Sequence, residues 1–262
     1  MQSLQRFANA IYGIYVVLVF LLLGSIALLV TLVPGPGIKA RRALAHYAAR
    51  SFFYVAGMRV SVIGVELLPP TPCVVVANHA SYIDGVVLKA ALPARFSFVI
   101  KKEVTKVPLA GLLLKRIGSE FVDRFNRHAG GMDARRLIKA ADAGQALAFF
   151  PEGTFTAQPG VGKFHSGAFT IAARVGLPVV PVAIRGTRYI LPSGRVLPRL
   201  GRIEIQILPP LPVGTNDAES VHAIRDLARV RIVSALGEPD LADIDGVAAI
   251  GAARKSPPAA RL

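Results

Sequence analysis

The stretch "VVVANHASYIDG", Val74 to Gly85, runs from an unbroken apolar segment straight into a histidine and an aspartate five residues apart. A run with no polar alternation reads as a strand covered on both faces, here Cys73 to Ala77, and such strands belong to parallel sheets. The polar cluster Asn78, His79, Ser81 and Asp84 then turns the chain into a helix predicted from Ile83 to Leu92. Two readings of that cluster stand side by side. Asn78 or Ser81 can cap the helix. Alternatively, the imidazole can take a proton from a hydroxyl while the carboxylate, bonded to its second nitrogen, fixes the tautomer and stabilises the charged ring.

Outward from this stretch the same unit recurs. Short β-type runs fall at Val60 to Val65, Phe96 to Ile100, Ser119 to Val122, Ala146 to Phe150, Val179 to Ile184 and Arg202 to Leu208. Between them, helical patterns cover Pro108 to Ile117, Met132 to Ala143, Gly167 to Val175 and Ala218 to Leu236, the last with Asn216 as cap and Gly237 as stop. Alternation of this kind predicts an α/β domain, a mostly parallel sheet flanked by helices, with ligands at the carboxyl ends of the strands. At 262 residues the chain can bury one sizeable core. The boundaries that follow are an N-terminal membrane segment with a basic helix over 1–58, an α/β domain over 59–237, and a flexible tail rich in Ala, Pro and Arg over 238–262.

No residue from Phe7 to Ile38 carries a charge. Its apolar centre, Ile11 to Leu32, makes roughly 33 Å of helix at 1.5 Å per residue, the thickness of a bilayer's hydrocarbon. The segment exceeds a signal-peptide core, and "VPGPGIK" is a poor cleavage site. Only Arg6 precedes it, whereas Lys39, Arg41, Arg42 and Arg50 follow, which places the domain on the cytoplasmic side of the cell membrane. A lone cysteine, Cys73, agrees with a reducing compartment. The next helix, Lys39 to Met58, lines up Lys39, Arg42, His46 and Arg50 on one face. That face can rest on anionic headgroups, or the helix can simply pack on the domain. The first segment either spans the bilayer or enters part way and returns with the second helix as a hairpin.

Charge favours polyanionic partners, with 31 Lys and Arg against 16 Asp and Glu. Lys101 and Lys102 end one strand and Arg124 another, at the same edge of a parallel sheet, where they could hold a phosphate. "FFPEGTF", Phe149 to Phe155, follows a further strand and sets Glu152 and Gly153 where backbone can approach a ligand. "VPVAIRG", Val180 to Gly186, closes another, with Pro181 shaping the wall.

Taken in order, "NHASYID", the series Lys102, Pro108, Gly111, Gly118, Asp123, Arg124, then "FPEGT" and "VPVAIRG" resemble the glycerolipid acyltransferases typified by 1-acyl-sn-glycerol-3-phosphate acyltransferase. The resemblance covers Arg59 to Leu208. It implies that His79 is a general base, that Asp84 orients it and that Lys102 lies near the reacting carbonyl. It implies an acceptor site drawn from Asn78, Ser81, Lys101, Arg124, Glu152, Gly153, Thr154 and Phe155. The donor would be acyl-CoA or acyl carrier protein, the acceptor a lysophospholipid, with no metal or cofactor. Many relatives carry arginine where Phe155 stands, so a less charged acceptor such as a lyso-ornithine lipid is also open.

Other classes fit poorly. No G-x-S-x-G elbow is present for a serine hydrolase, and "QPGVGKF" around Lys163 fails the phosphate-loop pattern. The five histidines are scattered, which argues against a metal site. A noncatalytic, membrane-anchored basic protein is the remaining alternative, although no motif supports nucleic-acid binding.

Overall fold

The computed structural model describes residues 2–123, 127–156 and 158–242. Two helices open the chain, α1 (Gln2–Leu32) and α2 (Ile38–Val55). The domain proper then alternates β1 (Arg59–Ile63), β2 (Val74–Ala77), α3 (Asp84–Ala91), β3 (Phe96–Lys101), α4 (Ala110–Arg116), β4 (Glu120–Val122), α5 (Arg127–Asp142), β5 (Ala146–Phe149) and α6 (Gly167–Val175). It ends with β6 (Val179–Arg185), a single turn α7 (Thr187–Ile190), β7 (Arg202–Ile207) and α8 (Ala218–Leu236).

All seven predicted strands form one sheet in the order β1-β7-β6-β2-β5-β3-β4. The five from β6 to β4 run parallel, β7 is antiparallel to β6, and β1 follows β7. Burial follows topology. The four residues of β2 and the first six of β6 are buried, because helices cover both faces. In β7 the exposed and buried residues alternate, as in a sheet with one open face. Valines at alternate positions of β2 serve two cores: Val75 joins Phe52 and Phe53 of α2 and Leu88 of α3, whereas Val74 and Val76 join Phe169 of α6 and Ile224 and Ile232 of α8. A three-layer sandwich results, and the carboxyl ends of β2, β3, β4, β5 and β6 share one edge.

Several boundaries differ from the sequence reading. The cap of α8 is Asp217, whose Oδ1 accepts the Ser220 N–H at 2.8 Å, and not Asn216. Helix α5 starts five residues before the predicted Met132. The segment after α8, expected to be a mobile tail from 238, is in place to residue 242. The Val161 N–H donates to Pro239 O at 3.0 Å, and the Leu241 N–H to Val161 O at 2.9 Å.

Residues Leu4–Leu32 of α1 are long and apolar enough to cross a membrane, with a mean hydropathy of 2.8. Yet the helix lies along the domain from Tyr12 to its C-terminal end. Tyr12 Oη donates to Ala56 O at 2.8 Å, and Arg116 Nε donates to Thr31 O at 3.0 Å. Its exposed side is a row of large apolar residues, including Phe7, Ile11, Ile14, Leu18, Leu22 and Leu29.

The basic face expected on α2 is corrected in part. Arg42 is buried and donates to the carbonyls of Ile117 at 3.1 Å, Arg95 at 3.2 Å and Gly118 at 3.0 Å. Carbonyls at the end of α4 need donors, and this guanidinium supplies them. His46 Nδ1 lies 3.0 Å from Lys89 O. Lys39 and Arg50 stay exposed, but the outward side also carries Tyr47 and Tyr54, at 65% and 85% exposure. Cys73 is a core filler: burial pushes its thiol up to about 11, which leaves it unreactive.

Candidate active site

His79 sits just past the carboxyl end of β2, at the centre of the parallel strands. Asp84 is fully buried at the start of α3, and its Oδ2 collects three donors: His79 Nδ1 at 2.9 Å, Ala80 N–H at 2.6 Å and Ser81 N–H at 2.8 Å. Neither Asn78 nor Ser81 caps α3, whose first turn carries no side-chain cap; Asp84 organises the turn. The carboxylate closes the turn ahead of α3 and also holds the imidazole by Nδ1. The ring stacks on Phe150 with centroids 4.4 Å apart and meets Phe155 at 4.5 Å, while Tyr82 packs edge-on to Phe155 at 4.8 Å. The side chain keeps 19% of its surface open. A ring fixed through Nδ1 and packed between aromatics has Nε2 as its nitrogen for proton transfer.

Glu152, beyond β5, grips the same residue from the backbone side. Its Oε1 accepts the His79 N–H at 2.7 Å, and its Oε2 accepts the Gly162 N–H at 2.8 Å. Both oxygens serve the protein, so the carboxylate expected to bind acceptor instead ties together the loops after β2 and β5. Burial pushes this carboxyl up to about 7, although the two N–H donors and Arg188 pull it down. Because the folded state favours the protonated form, Glu152 contributes stability that is complete below about pH 4.5. That contribution is lost as pH rises towards 7, about 3 kcal/mol in all. Thermal unfolding of the wild type should therefore weaken between pH 5 and pH 7.5 more than that of Glu152→Gln, which does not titrate. Parallel curves for the two proteins would show that this carboxyl does not titrate on folding.

Asn78 and Ser81, expected at the acceptor site, are buried and bonded within the protein. Asn78 is buried, donating to Ile184 O at 3.0 Å and accepting the Ile184 N–H at 2.7 Å, so its amide continues the β2–β6 ladder beyond the strand. Ser81 Oγ, also buried, donates to Leu191 O at 2.6 Å. Lys102 lies just past β3 at the same edge, 63% exposed, with its Nζ 3.6 Å from Asp123 Oδ2. Lys101 is exposed beside it, and Thr154 is exposed beyond the Gly153 turn. Arg124 lies outside the described residues.

Arg188 is the participant that sequence reading missed. From α7 it donates to the carbonyls of Thr156 at 3.1 Å, Gln158 at 2.7 Å and Gly160 at 3.0 Å, and to Glu238 Oε2 at 3.1 Å. Glu238 also accepts the Gly160 N–H at 3.0 Å. The loop that carries Phe155 over His79 is thus fastened by Glu152, Arg188 and the segment after α8. One signal was present: Arg188 falls two residues past "VPVAIRG", where Gly186 takes φ 87° and its missing Cβ would lie 2.0 Å from Arg202 O.

Known proteins similar to this chain are acyltransferases. The acyltransferase family model matches residues 59–185. A chloroplastic 1-acyl-sn-glycerol-3-phosphate acyltransferase of Brassica napus is 32% identical over 60% of this chain and 46% of its own length. One from Chlamydomonas reinhardtii is 32% identical, over 76% and 60%. The human alpha enzyme of that name is 28% identical, over 71% and 66%. The chain spans about half the length of the first two plant relatives, 46% and 44%. The crystal structure of the 1-acyl-sn-glycerophosphate acyltransferase PlsC from Thermotoga maritima shares the fold, with a TM-score of 0.71 at 24% identity over 89% of this chain and 97% of that one. The class is an α/β acyltransferase domain, which residues 59–185 match, and the chain is similar to the 1-acyl-sn-glycerol-3-phosphate acyltransferases.

Proposed function

We propose that the protein moves a fatty acyl group from an acyl thioester, acyl-CoA or acyl carrier protein, to the free hydroxyl of a lysophospholipid, 1-acylglycerol 3-phosphate giving phosphatidate. The observation that carries this reading is the His79 imidazole, held by Asp84 at 2.9 Å on the carboxyl edge of the sheet. A thioester is already activated, so the reaction needs mainly a base for the attacking alcohol and stabilisation of the oxyanion. His79 Nε2 takes the hydroxyl proton as that oxygen bonds to the thioester carbon. The carbon–sulfur bond breaks, and the imidazolium returns its proton to the departing thiolate. Lys102 supplies positive charge near the carbonyl, and Lys101 and Arg124 attract the phosphate. No cofactor is required.

A second acceptor class has one observation in its favour. Phe155 lays an aromatic ring against His79 and Tyr82, which suits a lysolipid with a less charged headgroup, such as a lyso-ornithine lipid. The apolar outer side of α1, with Tyr47 and Tyr54 of α2, supports a cell-membrane location. Because α1 is held against the domain from Tyr12 to Thr31, the hairpin reading is favoured over a span, with the domain on the cytoplasmic side.

The test is thiol release from palmitoyl-CoA and from palmitoyl carrier protein, each with lysophosphatidate or lyso-ornithine lipid. Release that requires both lipid and thioester is expected, with lysophosphatidate the better acceptor. Salt-sensitive DNA binding without any turnover would favour the noncatalytic alternative.

A further inference from the structure

The loop joining α7 to β7, residues 191–201, touches the site described above only through Leu191 O, and it carries exposed apolar and basic residues. Val196 is 82% exposed, Leu200 57% and, just before the loop, Tyr189 60%. Arg195, Arg199 and Arg202 alternate with these residues, and the Arg199 guanidinium lies over the Tyr189 ring at 5.4 Å. The shape of the loop is set from within: the Arg195 N–H donates to Pro192 O at 3.2 Å, Arg195 Nε to Leu197 O at 2.7 Å and the Arg199 N–H to Ile190 O at 2.9 Å.

Two contacts tie this loop to the α1–α2 hairpin. Gly13 of α1 faces Leu197 so closely that an added Cβ would sit 2.7 Å from its Cβ and 3.2 Å from Pro198 O. Gly57, after α2, lies against Leu200. Leu197 thus packs against the buried side of α1, while Val196 and Leu200 stay exposed beside the hairpin. A further contact links the loop to the chemistry, since Leu191 O accepts from Ser81, two residues from His79.

We propose that residues 189–202 form a docking loop for anionic glycerophospholipid surfaces. Val196 and Leu200 enter the interface beside the hairpin, Arg195, Arg199 and Arg202 sit among the phosphates, and the site's mouth is held against the bilayer from which a lipid acceptor enters. The inference rests on the reading that the apolar side of α1 meets a membrane. Charge complementarity selects the occupant: apolar residues interleaved with arginines suit a negatively charged interface better than a neutral one.

The experiment measures binding of the full chain to vesicles of phosphatidylcholine, with and without phosphatidylglycerol, for wild type and for the triple variant R195S/R199S/R202S. Each basic residue at an anionic surface is worth roughly fivefold in binding, so the triple variant should lose about 100-fold on the anionic vesicles. Binding to neutral vesicles, held by the hairpin, should be unchanged. The double variant V196S/L200S should weaken binding to both compositions. Turnover of a short-chain lysolipid dispersed as monomers should match wild type for both variants, which shows that the site is intact. Wild-type binding of the triple variant to anionic vesicles would overturn the docking loop, as would equal losses on both compositions or a loss of DNA binding instead. If the wild type binds neither vesicle, the membrane reading of α1 itself fails.

Discussion

Replacing His79 with alanine is expected to lower kcat by about three to four orders of magnitude while the protein stays folded. The ring is held at the carboxyl edge by a buried carboxylate, at 2.9 Å, with its other nitrogen available for a hydroxyl. Its loss removes the base and leaves charge stabilisation and substrate binding behind, so KM should change far less than kcat. The fold should tolerate the change, because the contacts that fix the turn run through the His79 backbone N–H and the Asp84 carboxylate. Steady-state kinetics with palmitoyl-CoA and lysophosphatidate, beside a melting curve, check this. A folded variant that turns over at the wild-type rate would remove His79 from the mechanism.

Asp84→Asn should lower kcat by about two to three orders of magnitude. An amide oxygen in place of Oδ2 can still accept from His79, Ala80 and Ser81, so the tautomer and the turn survive. The negative charge that stabilises the imidazolium does not. Asp84 Oδ1 is buried without a hydrogen-bond partner, and an NH2 there would also lack an acceptor, at a cost of about 1–3 kcal/mol. A turn-former alone predicts the lower melting temperature with an unchanged rate per folded molecule. A catalytic partner predicts both losses, and the ratio of kcat to the folded fraction separates them.

Much of this was legible in the sequence for a physical reason. Strands buried on both faces leave uninterrupted apolar runs, so β2, β3, β5 and β6 were located to within a residue or two, and the parallel edge placed His79, Lys102 and Glu152 together. Polar residues at that edge were harder to assign. Asn78, Ser81 and Glu152 look alike as ligands or as scaffold until their partners are known, and those partners, Ile184, Leu191 and Gly162, lie 106, 110 and 10 residues away. Arg188 stayed hidden because its role depends on carbonyls of a loop some thirty residues upstream. The helical face of α2 stayed open for a related reason: periodicity groups Arg42 and His46 but does not say whether their side meets lipid or backbone carbonyls near α3 and α4.

The short run after α8 sets a rule for handling the protein. Glu238 holds Gly160 and Arg188, Pro239 and Leu241 pair with Val161, and the Leu241 side chain fills the space where a Cβ on Gly160 would fall. A chain shortened to Gly237 keeps every strand and helix named above, yet it loses one of the three fastenings on the loop that presents Phe155. Affinity tags and reporter fusions should therefore join beyond residue 242, and a trimmed form designed for crystallisation should be judged by its acceptor preference as well as by its melting temperature.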